Sequence, residues 1–147
     1  MPVNPAYSGR VFPAGKPYEV SRVKIGEFAD AIGDPNPLYR DQASARAAGH
    51  RDVIAPPTFA VVLSMAGLAA ALADPGLGID YAMVVQLEQE FSYSRPITAG
   101  DVLTAQVTVT GIKNVGRNVM LTTSTQIATV AGEHVCTALS AIVERGA

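Results

Sequence analysis

Few side chains in this sequence can do chemistry, and several of them share one loop. Gly33-Asp34-Pro35-Asn36-Pro37-Leu38-Tyr39 sets a carboxylate, an amide and a phenol close together. Two prolines fix φ on either side of Asn36 and stiffen the loop. Asp34 can orient water or move a proton, or it can cap the turn between Gly33 and Pro35. Asn36 suits a bond to the loop backbone. A phenol of ordinary pKa, about 10, is a poor base at pH 7, so Tyr39 reads equally as a packing residue. Ser64 lies in an apolar run, where its hydroxyl can bond a carbonyl one turn back. His50 follows Gly49 and reads as a solvated loop residue. His134, beside Glu133, reads as an edge or hairpin residue. The two histidines lack metal-ligand spacing, so no metal is expected. Cys136 is the single cysteine, which excludes an internal disulfide and a Cys-based zinc cluster. Glu88, Gln89 and Glu90 read as a solvated or interface strip.

These residues need elements to hold them. Residues 21–32 have a helical period: Ile25, Phe28, Ala29 and Ile32 share one face, Ser21 is a fitting N-cap and Gly33 a stop. Residues 41–48 form a short helix capped by Asp41 and ended by Gly49. Residues 54–73, IAPPTFAVVLSMAGLAAALA, are nearly uncharged. The prolines start a helix inside this run, and its alanine and glycine content drives membrane insertion weakly. A helix over residues 57–73, apolar all round and buried in a soluble fold, is therefore expected, with Phe59, Val62, Leu63 and Ala66 inside. Near Ala82 the period changes from helical to alternating. Val85, Leu87, Phe91 and Tyr93 alternate with polar residues, and Leu103, Ala105, Val107 and Val109 do so more cleanly. Further strands follow over 119–130 and 134–143, joined by short turns that imply antiparallel pairing.

The chain of 147 residues predicts one domain, 1–147. Net charge is −2, from 11 Lys and Arg against 13 Asp and Glu, with no like-charge run, so nucleic-acid binding is not expected. No apolar signal segment precedes Lys16, and the expected compartment is the cytoplasm. Helices first and strands after predict an α+β fold, with an antiparallel sheet around the apolar helix.

The loop 33–39 resembles the G-D-x-N-P-x-H signature of MaoC-like hot-dog proteins, (R)-specific enoyl-thioester hydratases and 3-hydroxyacyl-thioester dehydratases. Ser94-Arg95-Pro96-Ile97-Thr98-Ala99-Gly100-Asp101 looks like their bend into a strand. Ile54-Ala55-Pro56-Pro57-Thr58-Phe59, with Val85-Gln86-Leu87-Glu88-Gln89-Glu90-Phe91, narrows the resemblance to the UPF0336 branch. That branch is similar to the A subunit of the mycobacterial (3R)-hydroxyacyl-carrier-protein dehydratase.

The resemblance implies a hot-dog fold and a substrate that is an acyl thioester of coenzyme A or carrier protein, with no cofactor. It implies a homodimer, or a heterodimer with a histidine-bearing MaoC-like subunit. It aligns Asp34 with the catalytic aspartate, Asn36 with the motif asparagine and Tyr39 with the catalytic histidine. It puts Pro56, which has no N–H, where a helix-start glycine meets the thioester. Thr58 and Ser64 join Asn36 and Pro56 as the implied substrate-binding set. The altered Tyr39 and Pro56 imply weak or absent turnover in the isolated chain. A non-enzymatic thioester-binding protein and a hot-dog thioesterase are the other readings.

Overall fold

A computed structural model describes residues 2–146. The first helix, α1 (Arg22–Ala31), is capped as its sequence predicts: the Ser21 hydroxyl accepts from the Lys24 N–H at 3.1 Å. Ile25 and Ala29 are buried, whereas Ile32 lies past the last turn and is exposed. The second helix, α2 (Gln42–Ala47), starts on the Asp41 carboxylate, which takes the Ser44 N–H at 3.1 Å.

The apolar helix is shorter than expected. A 3-10 turn, Pro57–Ala60, leads into α3 (Val61–Leu72), so the regular α-helix begins four residues after Pro57. Nor is it buried all round. Phe59, Leu63, Ser64, Leu68 and Leu72 face the interior, while Met65, Ala66, Ala69 and Ala70 are exposed. The expectation that Ala66 points inward is overturned: one sheet covers one side of a helix. At Gly67 helix and sheet approach so closely that an added Cβ would stand 2.7 Å from Val107 Cγ2.

Among the described residues the strands are β1 (Tyr18–Glu19), β2 (Val84–Tyr93), β3 (Val102–Val115), β4 (Asn118–Thr129) and β5 (His134–Glu144). They make one antiparallel sheet in the order β1-β3-β4-β5-β2, curled over α3. In β3 the alternation holds, with Leu103, Val107 and Val109 buried beneath the helix. In β2 it does not. Phe91 pairs with Ala138 and Tyr93 with Cys136, but the register shifts between Gln86 and Glu88. Each residue of slip exchanges the faces, so Val85 and Leu87 emerge at 42% and 61% exposure. Gln89 is half-buried and donates to the Leu139 carbonyl at 2.9 Å.

The interior has two apolar clusters. One surrounds the start of α3: Phe59, Leu63, Ile25, Leu103, Ile127 and Cys136, with Phe28 edge-on to Phe59 at 5.3 Å. The other, at the far end, gathers Leu68, Leu72, Leu77, Val109, Leu121 and Ile142. Buried Thr123, Thr125 and Ser140 lie between them on β4 and β5, and the Ser140 hydroxyl has no partner among the described residues. Among those residues no helix is long and apolar enough to cross a membrane.

Candidate active site

The motif loop is held by its own side chains. Asp34 Oδ1 accepts the Asn36 N–H at 3.1 Å, and Asn36 Oδ1 accepts the Leu38 N–H at 3.0 Å. Asn36 thereby caps a 3-10 turn, Pro37–Tyr39. Arg40 reaches the Asp34 carbonyl, not its carboxylate, and pairs with Asp30 at 3.0 Å. The Leu38 carbonyl then takes the Ile54 N–H at 3.1 Å, which ties this loop to the segment entering α3.

That segment is clamped from the other side by the bend between β2 and β3. The Ala55 N–H donates to the Ile97 carbonyl at 2.8 Å, and the Ala99 N–H to the Val53 carbonyl at 3.0 Å. The bend is organised by buried Asp101, which accepts from Arg95 at 2.8 and 3.0 Å, from Arg51 at 2.8 Å and from the Thr98 N–H at 2.8 Å. Burial pushes the Asp101 carboxyl up. The Arg95, Thr98 and Arg51 hydrogen bonds outweigh burial and hold it below the usual carboxylate range.

Loop, bend and helix start line an open cavity of about 400 Å³, formed by Tyr39, Ile54, Ala55, Pro57, Tyr93, Ser94, Arg95 and Pro96. Tyr39 is 7% exposed. Burial and the nearby Asp34 charge push its phenol up, against a smaller opposite pull from Asn36, so it stays protonated. The Tyr93 hydroxyl donates to the Pro57 carbonyl and pins the 3-10 turn. Burial, with the Cys136 thiol adjacent, pushes the Tyr93 phenol far up. A second apolar hollow of about 330 Å³ runs between residues 12–18 and the Val62, Ala66, Gly67 and Ala70 side of α3.

The residues singled out from sequence are therefore only partly brought together. Asp34, Asn36 and Tyr39 form one unit, of which Tyr39 lines the cavity. Pro56 is buried at the helix start, Thr58 is exposed, and Ser64 lies inside α3 with its hydroxyl 3.5 Å from the Val61 carbonyl. Tyr93 and Ser94 line the cavity, although the alternating pattern marks Ser94 only as a wet-face residue. Among the described residues no cluster of His, Cys, Asp or Glu is arranged to hold a metal.

This architecture and this loop can be set against known proteins. Residues 6–138 match the family described as "FAS1-like, dehydratase domain region". A UPF0336 protein of Thermobifida fusca is 56% identical over 99% of this chain and 96% of its own length. The chain belongs to this MaoC-like dehydratase family, in its UPF0336 branch. A UPF0336 protein of Saccharopolyspora erythraea is 53% identical over 99% of the chain and 94% of its own length. Among solved structures, a MaoC-like dehydratase superposes with a TM-score of 0.88 at 32% identity, over 97% of this chain. The chain spans 43% of that protein's length. The HadBC (3R-hydroxyacyl-ACP dehydratase) complex of Mycobacterium tuberculosis superposes at 0.84 with 23% identity, over 93% of this chain and 96% of that one. The curled sheet over α3 is thus a hot-dog fold.

Proposed function

We propose that this chain is the acyl-thioester-binding member of an (R)-3-hydroxyacyl-thioester dehydratase or enoyl-thioester hydratase of fatty-acid metabolism. It turns over weakly alone and is completed by a histidine-bearing MaoC-like subunit. The observation that carries this reading is Tyr39: it lines the cavity at the motif position and keeps its proton. Moving water across Cα–Cβ needs a base for the α-proton, and a buried phenol is not one at neutral pH. The thioester oxygen gains charge as that proton leaves, and Pro56 and Pro57 offer it no N–H at the helix start. A missing general base costs about 10²–10⁴-fold and a lost oxyanion donor about 10²–10³-fold, and coupled groups do not simply multiply. Asp34, half-buried beside Tyr39, remains able to orient a water, which favours weak over absent turnover. Asn36, Pro56, Thr58 and Ser64 belong to the same reading as groups that shape the loop and helix start around the thioester. The two apolar hollows have room for acyl carbon.

The partner is supported from two directions. The HadBC and ChsH1-ChsH2 structures, which share the fold, are complexes. Here Val85, Leu87 and Leu139 are exposed on edge strand β2 and its neighbour β5, a surface that pairing would cover. In this reading the thioester is one of coenzyme A or carrier protein, the chemistry needs no cofactor, and the expected compartment is the cytoplasm.

The test is hydration of a crotonyl thioester by the chain alone and with a histidine-bearing MaoC-like partner. We expect little turnover alone, a large gain with the partner, and a gain well above wild type for Tyr39→His combined with Pro56→Gly. Wild-type turnover equal to that of a histidine-bearing relative, unchanged by Asp34→Asn, would put the site elsewhere. Binding without any turnover in either setting would favour a thioester-binding protein, the reading that Pro56 supports.

A further inference from the structure

The cavity has a polar feature that the hydratase reading leaves unused. Ser94 lines it, and Ser94 Oγ lies 2.5 Å from His134 Nδ1. His134 Nε2 lies 2.8 Å from Thr137 Oγ1, and the Thr137 hydroxyl donates to Gln126 Oε1 at 3.0 Å. The Gln126 amide nitrogen, in turn, donates to the Ser124 hydroxyl at 3.4 Å.

With the Gln126 carbonyl oxygen facing Thr137, these bonds assign one set of proton positions. A hydroxyl has one proton, and Thr137 directs its own to Gln126, so it can only accept from His134. In the neutral imidazole the proton therefore sits on Nε2, and the Nδ1 lone pair faces Ser94. Ser94 must then donate its proton to Nδ1. This is the arrangement of an activated hydroxyl: nucleophile, base within hydrogen-bond reach, and a third group that orients the base. Two backbone pairings hold the dyad. The Ser94 N–H donates to the Val135 carbonyl at 2.8 Å, next to His134, and Tyr93 pairs with Cys136 across β2 and β5. Tyr39, which also lines this cavity, carries a phenolic hydroxyl, a group able to donate to a negative oxygen.

We infer that Ser94 is a nucleophile for short acyl thioesters, with His134 as its base, so that the cavity supports acyl transfer to Ser94 followed by hydrolysis. Ser94 Oγ attacks the carbonyl carbon while its proton passes to His134 Nδ1. The C–S bond breaks, and the imidazolium returns the proton to the leaving thiolate. The acyl group remains as a Ser94 ester. Water, deprotonated by the same imidazole, then cleaves that ester, releasing the carboxylic acid and restoring the hydroxyl. The net reaction is thioester plus water to acid plus thiol. It acts at the carbonyl carbon, unlike the Cα–Cβ chemistry proposed above.

Two measurements on the full chain test this. The first is labelling by a fluorophosphonate, located by peptide mass mapping; the second is thiol release from the butyryl thioester of N-acetylcysteamine. We expect the label on Ser94, and thiol release that falls to the buffer rate in Ser94→Ala. His134→Gln keeps a polar side chain at an exposed position but cannot take the proton, and should slow both by about 10²-fold or more. Label at another residue or none, thiol release that survives Ser94→Ala or never exceeds buffer, or His134→Gln at the wild-type rate would each overturn the proposal. Circular dichroism of each variant separates loss of the dyad from loss of the fold. Enoyl-thioester hydration releases no thiol, so failure of either reading is visible without the other.

Discussion

Two aspartates, Asp34 and Asp101, stand in two motif segments of this chain, and the structure treats them in opposite ways. Asp101 is buried, takes three side-chain and backbone donors besides a second Arg95 bond, and locks the bend between β2 and β3. Asp34 is half-buried and uses one oxygen to hold the Asn36 N–H. A carboxylate wrapped by two guanidinium groups has no freedom left for a proton or a water. One that only closes a turn keeps an oxygen available. The difference separates a carboxylate spent on holding the bend from one that the proposed function can still use.

The comparison breaks most visibly at Asp101. Asp101→Ala leaves the buried Thr98 N–H without its acceptor and frees Arg51 and Arg95 from the bend, and should cost about 2 kcal/mol of unfolding free energy, read from urea midpoints. Gly100, beside it, has φ of 92° and no atom within 4 Å of the place a Cβ would take, so only backbone strain opposes a side chain there. Gly100→Ala should cost about 1–2 kcal/mol in the same titration. Acid provides a continuous version. The Asp101 carboxyl is held below its ordinary value, so its contribution is complete above the unfolded pKa of about 4 and is lost as pH falls through the depressed folded value. Urea midpoints should drop over that range in wild type and less in Asp101→Asn. The smallest effect belongs to Asp34→Asn, which keeps an oxygen for the Asn36 N–H and should alter stability by no more than about 0.5 kcal/mol while lowering any residual hydration. A stability loss there as large as at Asp101 would make both aspartates structural.

Much of the fold is legible in local chemistry. Ser21 and Asp41 cap the helices they precede, and the alternation of β3 maps directly onto burial. The misreadings occur where the pattern depends on distant chain. Nothing near Gln86 announces the register shift that sends Leu87 outward, because the shift is defined only against β5. The apolar composition of α3 does not disclose that one side of it, at Met65 and Ala66, lies outside the sheet's cover. At the site, Asp34, Asn36 and Tyr39 are neighbours in sequence and are readable as a unit. Ser94 and His134 are separated by 40 positions, and their contact exists only because β2 pairs with β5.

That pairing also orders events during synthesis. In the sheet order β1-β3-β4-β5-β2, the last strand made sits between β4 and the first long strand made. β2 emerges early but has its pairing surface on β5, so it must wait for residues up to Glu144 to leave the ribosome. Until then β2 and the underside of α3 have no completed sheet to occupy, and long-range pairing of this kind is slow and exposed to aggregation. The growing chain would therefore hold its apolar helix in reserve until β5 has emerged to pair with β2.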